Sequence, residues 1–388
     1  MAQQTFEFRA PPRILFGPGV SRRVGEVARD LGCRRALVVT GPVLAKTGYP
    51  AQVIDSLSSA GLTAALFAEI DAEPTVRHVE RGLAALRENE CDLVVALGGG
   101  SPMDAAKAIA VMAANPGSIA DYAGTEKIKG GRLPLIAIST TAGTGSEVTR
   151  FAVITDEATN VKMLINSAIL IPDAAVDDPL LTVSMPPRVT ASTGMDALTH
   201  AIESYISRRS QPLSDTLALS AIRRIAAHLR RAWAEPENLE ARTEMMLGAL
   251  EAGLSFGNSS VALVHGMARP LGAYFHIPHG LANAILLPHV MAYSAAGAPE
   301  RFRDIAAAMG ERVEGLTPLQ AAWRAVEAVR ELCADLGVPT LSEAGVDEEE
   351  LLRLAPTMAK DALASGSPAN NPRLASEEDI VELYKRAL

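Results

Sequence analysis

The chain is predicted to join an N-terminal α/β domain, built on a parallel sheet, to an all-α C-terminal domain. Three observations predict this. Short apolar runs alternate with helical patterns between residues 35 and 139. Those runs are apolar throughout, as strands covered by helices on both faces must be. After Pro186-Pro187 the texture changes to Ala/Leu/Arg/Glu-rich sequence with helical periodicity. The expected division is 1–185 and 186–388, with the boundary in the 182–188 stretch.

Each element has its own signal. Residues 35–40 (RALVVT) form a β-branched run that stops at Gly41-Pro42. A helix is expected over 51–60 and a second strand over 62–68. Glu73-Pro74-Thr75 opens a helix reaching about residue 88. Residues 92–97 (DLVVAL) make a third strand that closes on Gly98-Gly99-Gly100-Ser101, and a helix begins at Pro102, a favoured first-turn residue. Residues 133–139 (LPLIAIS) make a fourth strand. In the second half, the long apolar stretch 281–298 is interrupted by Asn283, Pro288 and His289 and is read as a buried helix, not a membrane span. Residues 365–373, rich in Ser, Gly, Pro and Asn, are a loop between the last helices.

Composition narrows the function. The net charge of −9 comes with no basic stripe, which argues against a nucleic-acid partner. Cys33, Cys91 and Cys333 are far apart and form no CxxC, so a reducing compartment is expected. The first residues carry neither a basic n-region nor an apolar run, so no signal peptide is expected and the location is read as cytoplasmic.

Three segments carry chemistry. Gly98, Gly99, Gly100 and Ser101, with Asp104 further on, lie between a strand and a helix; glycines there admit a close ligand, and the helix N-terminus suits a pyrophosphate. Residues 139–147 (STTAGTGSE) place hydroxyls and glycines after the fourth strand, where open α/β sheets bind ligands. No lysine precedes Ser146, so this is not a nucleotide-hydrolysing P-loop. Third, Asp196 and His200 share one face of a helix, and His265, His276, His279 and His289 fall within one short stretch. Asp196, His200, His265 and His279 would give one oxygen and three nitrogens, a shell for Fe(II) or Zn(II) and not for Ca(II) or Mg(II). His276 and His289 are also eligible by residue type. His289 reads as a packed helix residue, and His78 and His228 as surface residues.

Together GGGSPMDAAK at 98–107, TTAGTGSE at 140–147, TGMDALTHAIE at 193–203, and HGMARPLG with IPHGLANAILLPH at 265–289 resemble the iron-containing (group III) alcohol dehydrogenase family. That family shares its fold with glycerol dehydrogenase and dehydroquinate synthase. The resemblance runs from Phe16-Gly17-Pro18-Gly19 to Asn371-Pro372-Arg373. It implies a dinucleotide-binding domain, a helical metal-binding domain and chemistry in the cleft between them. It also implies metal ligands at Asp196, His200, His265 and His279, and a pyrophosphate contact at Gly98, Gly99, Gly100 and Ser101. Thr140, Thr141 and Thr144 would line the adenine and nicotinamide-ribose region. Relatives are commonly dimers or larger.

Two departures stand out. Many relatives carry an aspartate after the first strand that selects NAD over NADP; here the residue is Gly41, which relaxes that preference and leans toward NADP or dual use. Many carry a second histidine four residues after the first; here it is Arg269, which stays protonated and cannot relay a proton, but could contact an anionic substrate or simply pack. His276, a ribose hydroxyl or water is then the proton exit. The expected activity is metal-assisted hydride transfer between a small alcohol or aldehyde and NAD or NADP. The alternative is a maleylacetate-reductase-like or hydroxy-acid dehydrogenase activity on an anionic substrate. A metal hydrolase would not need the two glycine- and threonine-rich turns, and a scaffold would not need the ligand set.

Overall fold

Six parallel strands in the order β1-β9-β6-β4-β2-β3 build the main sheet of the computed structural model, which describes residues 5–159 and 161–388. These strands are β1 (Arg13–Phe16), β2 (Arg35–Val39), β3 (Thr63–Phe67), β4 (Leu93–Gly98), β6 (Leu135–Ser139) and β9 (Ala174–Asp177). The four apolar runs of the sequence supply β2, β3, β4 and β6. Alternate side chains of one strand serve opposite faces. Val38, Val95 and Ile136 pack with Val27 of α1 (Val24–Asp30) and Leu57 of α2 (Tyr49–Ser59). Leu37, Val94 and Ala137 pack with Val79 of α3 (Val76–Glu88) and Ile109 of α4 (Gly100–Met112). A sheet covered on both sides explains why its strands read as continuous apolar runs.

Two features differ from the sequence expectation. A second sheet of β5 (Gly124–Thr125), β7 (Phe151–Asp156) and β8 (Val161–Asn166) was not foreseen; β7 and β8 pair antiparallel. Their half-buried, mixed-polarity sequences give a weaker signal than the buried strands. The four-residue β1 and β9 were also too short and, in β9, too alanine-rich to stand out. His78 is buried, not a surface residue: it completes a capping box with Thr75 at the start of α3. His228 is half-buried, its ring against the Arg224 carbonyl at 2.9 Å.

The helical unit comprises α5 (Pro187–Ile206), α6 (Pro212–Ala234), α7 (Leu239–Asn258), α8 (Leu263–Phe275), α9 (His279–Ser294), α10 (Pro299–Ala308), α11 (Pro318–Asp335), α12 (Glu348–Ala364) and α13 (Glu377–Arg386). It is Met185–Leu388 together with residues 5–8, while Arg9–Ser184 forms the α/β unit. Residues 5–8 thus belong with the helices; the Glu7 carbonyl accepts a hydrogen bond from Gln211 Nε2 at 3.2 Å. α5 is buried from Gly194 to its end and packs against α6, α7 and α9. The apolar stretch around 281–298 is mostly α9, with Pro288 inside it. Among the described residues no helix is long and apolar enough to cross a membrane.

Inside the α/β unit a buried polar chain fixes the loop after β6. Lys107 Nζ, 1% exposed, donates to Ser146 Oγ at 2.9 Å, to the Thr149 carbonyl at 3.1 Å and to the Phe151 carbonyl at 2.7 Å. Ser146 Oγ in turn donates to Asp104 Oδ1 at 2.9 Å, and the Val153 N–H donates to Asp104 Oδ2 at 2.9 Å. Beside this chain Glu147 and Asp177 are buried carboxylates. Burial raises both, and the Glu147 charge pushes Asp177 higher still. A carboxyl raised in the folded state favours folding at low pH, and that stability is lost as pH rises through the elevated value. Asp177→Asn should therefore raise Tm over wild type more at about pH 8 than at about pH 5. Thermal melts at the two pH values check this, and an equal difference at both would refute it.

Candidate functional site

α5 carries Asp196 and His200 on one face, α8 carries His265 in its first turn, and α9 begins at His279. Two glycines let neighbouring helices close, Gly194 between α5 and α6 and Gly280 between α9 and α5. A Cβ on Gly194 would lie 2.3 Å from Leu229 Cδ1, and one on Gly280 would lie 2.6 Å from the Ser192 carbonyl oxygen. The second contact seats the start of α9 on α5 and brings His279 to Asp196.

Asp196 Oδ1 lies 3.7 Å from His265 Nε2 and 3.7 Å from His279 Nε2. Asp196, His265 and His279 offer ligand atoms all within 4.8 Å of one another. His200 is outside that converging trio: its ring stacks on His265 at 4.5 Å and on Phe256 at 4.2 Å. Asp196 and His265 are sealed, whereas the His279 side chain is 45% exposed. Burial alone would raise the Asp196 carboxyl, but the imidazoles of His200, His279 and His265 outweigh it and hold the group well below the usual carboxylate range. Burial would lower His265; hydrogen bonds to Asp196 and Glu203 overcome this and lift it to about 9. The cluster is a concentrated acceptor of positive charge.

Two residues essential to this geometry were missed in the sequence. Glu203, 1% exposed, accepts from the backbone N–H of Ala262 at 2.8 Å, Val264 at 2.5 Å and His265 at 3.3 Å. It also accepts from His265 Nδ1 at 2.7 Å, which turns Nε2 toward Asp196 and leaves that nitrogen as the one to offer a lone pair once the ring gives up its second proton. Its signal was present: Glu203 follows Asp196 by seven residues and shares its helical face. Asn283, fully buried on α9, was noted only as an interruption of an apolar run. Its Nδ2 lies 2.7 Å from Asp196 Oδ1, 3.1 Å from His265 Nε2 and 3.2 Å from His279 Nε2. An amide has two hydrogens for those three acceptors. Acceptors gathered around one point, a carboxylate among them, are a set that could hold a cation.

The remaining expected residues of this unit lie around that centre. Arg269, one turn after His265, is half-buried; desolvation lowers its guanidinium and the Glu203 charge opposes this. Its guanidinium has no hydrogen-bond partner among the described residues. His276 is exposed at the C-terminal end of α8, in the left-handed conformation at φ 56°. His289 is partly buried near Arg330 and Arg386, which with burial lower its pKa.

In the α/β unit, Gly41, Gly98, Gly99 and Thr140 line one cavity of about 200 Å³ at the carboxyl ends of β2 and β4. The Thr140 N–H donates to the Gly98 carbonyl at 3.1 Å and ties the two turns together. A Cβ on Gly99 would meet Thr141 Cγ2 at 3.2 Å, and one on Gly100 would meet Thr144 Cγ2 at 3.2 Å. α4 starts at Gly100, two residues earlier than expected, so Gly100 and Ser101 belong to its first turn. That turn has no side-chain cap, and the buried Thr141 hydroxyl has no hydrogen-bond partner among the described residues. Open backbone donors at a glycine-walled helix start fit a dinucleotide pyrophosphate. Asp104 differs from its neighbours: both carboxylate oxygens are engaged by Ser146 and Val153, so it braces the cradle from within.

Comparisons with known proteins identify the family of the chain. Residues 11–179 match the family described as iron-containing alcohol dehydrogenase, and residues 190–388 match its C-terminal domain. The chain is 42% identical to 1,3-propanediol dehydrogenase of Klebsiella pneumoniae over 390 residues, covering all of both chains. It is 38% identical to the NAD-dependent methanol dehydrogenase of Bacillus methanolicus, covering 98% of this chain and 99% of that one. A crystal structure of a 1,3-propanediol oxidoreductase superposes with a TM-score of 0.97 at 41% identity, over 99% of this chain and 100% of that one. The chain belongs to the iron-containing alcohol dehydrogenase family and is an oxidoreductase of the alcohol dehydrogenase class.

Proposed function

We propose that Asp196, His200, His265 and His279 hold a divalent cation, iron(II) with zinc(II) as the alternative, for hydride exchange between a small alcohol or aldehyde and NAD(H) or NADP(H). The observation that carries the reading is the convergence of a buried carboxylate and two imidazole nitrogens on one point, with a third imidazole stacked beside them. When bound, the ion supplies Lewis-acid polarisation of the substrate oxygen, and the nicotinamide supplies the hydride chemistry. The chain's own residues orient and hold. Glu203 fixes the His265 ring and its tautomer, and Asp196 keeps its negative charge because three imidazoles surround it. Gly98, Gly99, Gly100 and Ser101 seat the pyrophosphate, and Thr140, Thr141 and Thr144 face the rest of the coenzyme. Arg269 stays protonated and positions groups, leaving proton release to exposed His276 or solvent.

A second reading concerns the substrate. A half-buried guanidinium without a hydrogen-bond partner among the described residues favours a carboxylate-bearing substrate, as in a hydroxy-acid dehydrogenase or a maleylacetate-reductase-like enzyme. Arg269→Ala should then raise KM for acidic substrates about tenfold or more and leave neutral alcohols unaffected. Equal effects on both classes would leave neutral alcohols as the substrates.

The ion itself is tested by reconstitution with Fe(II) and with Zn(II), followed by metal analysis. Wild type should retain one ion per chain, and Asp196→Ala should retain none and lose about three orders of magnitude or more in kcat/KM. An unchanged metal content in that variant would refute the ligand set. Glu203→Gln should weaken metal affinity about 10–100-fold while Asp196, His265 and His279 stay in place, measured by titration of the metal-free protein.

A further inference from the structure

The surroundings of Gly41 explain why no side chain stands there. A Cβ at that position would lie 2.5 Å from the Ile70 carbonyl oxygen. The Ile70 backbone cannot easily retreat, because its N–H donates to the Thr40 carbonyl at 3.3 Å. The chain leaving β3 therefore lies directly against position 41. Its next residue is Asp71, which lines the same cavity as Gly41, Gly98, Gly99, Pro102 and Thr140.

The Asp71 side chain is 68% exposed, and His78 Nε2 stands 3.5 Å from its Oδ1. His78 accepts the Thr75 N–H through Nδ1 at 3.2 Å, which directs Nε2 toward Asp71 and holds that carboxylate at the end of β3. Among the described residues, none that lines the cavity is a lysine or an arginine. A phosphate on the adenosine ribose would thus meet a carboxylate and no counter-charge, whereas ribose hydroxyls would meet an acceptor.

We propose that Asp71 determines coenzyme specificity: its carboxylate accepts the free ribose hydroxyls of NAD and repels the 2′-phosphate of NADP. The task sits at the end of β3, because the close backbone has emptied the corresponding place after β2. This reverses the lean toward NADP that Gly41 alone suggests. It rests on the nicotinamide-coenzyme reading above and deepens it.

Fluorescence titration of the purified chain with NADH and with NADPH tests the assignment without turnover. Wild type is expected to bind NADH at least about tenfold more tightly, and Asp71→Asn to narrow that ratio about tenfold, chiefly by tightening NADPH. Asp71→Ser should act in the same direction; the exposed position keeps both variants folded, which circular dichroism verifies. Added salt should shrink the wild-type ratio and barely move that of Asp71→Asn. Glu69→Gln serves as control, since Glu69 pairs with Arg81 at 2.8 Å and does not line the cavity; its ratio should match wild type. A wild-type preference for NADPH, or an NADH preference untouched in Asp71→Asn, overturns the role of Asp71 and leaves the coenzyme reading standing. Failure of either reduced coenzyme to bind overturns both.

Discussion

The helical unit's chemistry hangs on one buried carboxylate. Glu203 stands where α8 begins, and α8 has no side-chain cap of its own. The first backbone N–H groups of that helix carry its positive end, so a carboxylate from α5 caps it across the fold. The same carboxylate takes the His265 Nδ1 proton. One side chain thereby sets the register between α5, which carries Asp196 and His200, and α8, which carries His265. A neutral residue there would leave orphaned donors at a helix end and an imidazole free to choose its tautomer. The position of Glu203 deep in the core is tolerable because both of its oxygens accept hydrogen bonds.

The α/β unit relies on a comparable device of opposite sign. Lys107 is a buried cation whose ammonium is saturated by a hydroxyl and two carbonyls. Burial lowers it to about 8, while the Asp104 and Glu147 charges oppose that shift. Through Ser146 it also engages Asp104, so α4, the loop after β6 and the start of β7 form one rigid piece. The glycines at 98–100 can lie open to a ligand because the polar scaffold behind them is closed. Flexibility in sequence and rigidity in space coexist there.

Much of this was legible in the sequence, for physical reasons that also mark where legibility stopped. The β2, β4 and β6 runs announce themselves because strands buried on both faces must be apolar throughout. Asp196 and His279 were picked out because Asp196 shares a helical face with His200 and four of the seven histidines fall in one short stretch, within segments that resemble the family's motifs. β7 and β8 were lost because half-exposed strands blend into loop composition. Glu203 and Asn283 were lost for another reason: glutamate and asparagine are common surface residues, and only burial shows that their donors and acceptors point inward. Asp71 is a sharper case. Nothing in its local sequence couples it to Gly41, thirty positions earlier; only the parallel pairing of β2 with β3 makes them neighbours.

The unequal burial of the ligand trio has a consequence for metal identity. Asp196 and His265 are sealed in the core, but nearly half of the His279 side chain meets solvent. A cation held here would have one ligand that solvent can reach and displace, while the other two are shielded. Such a site would exchange its occupant with the surrounding solution more readily than one sealed on every side. The ion that a purified sample contains would then record the culture medium and the handling, as much as the preference of the polypeptide.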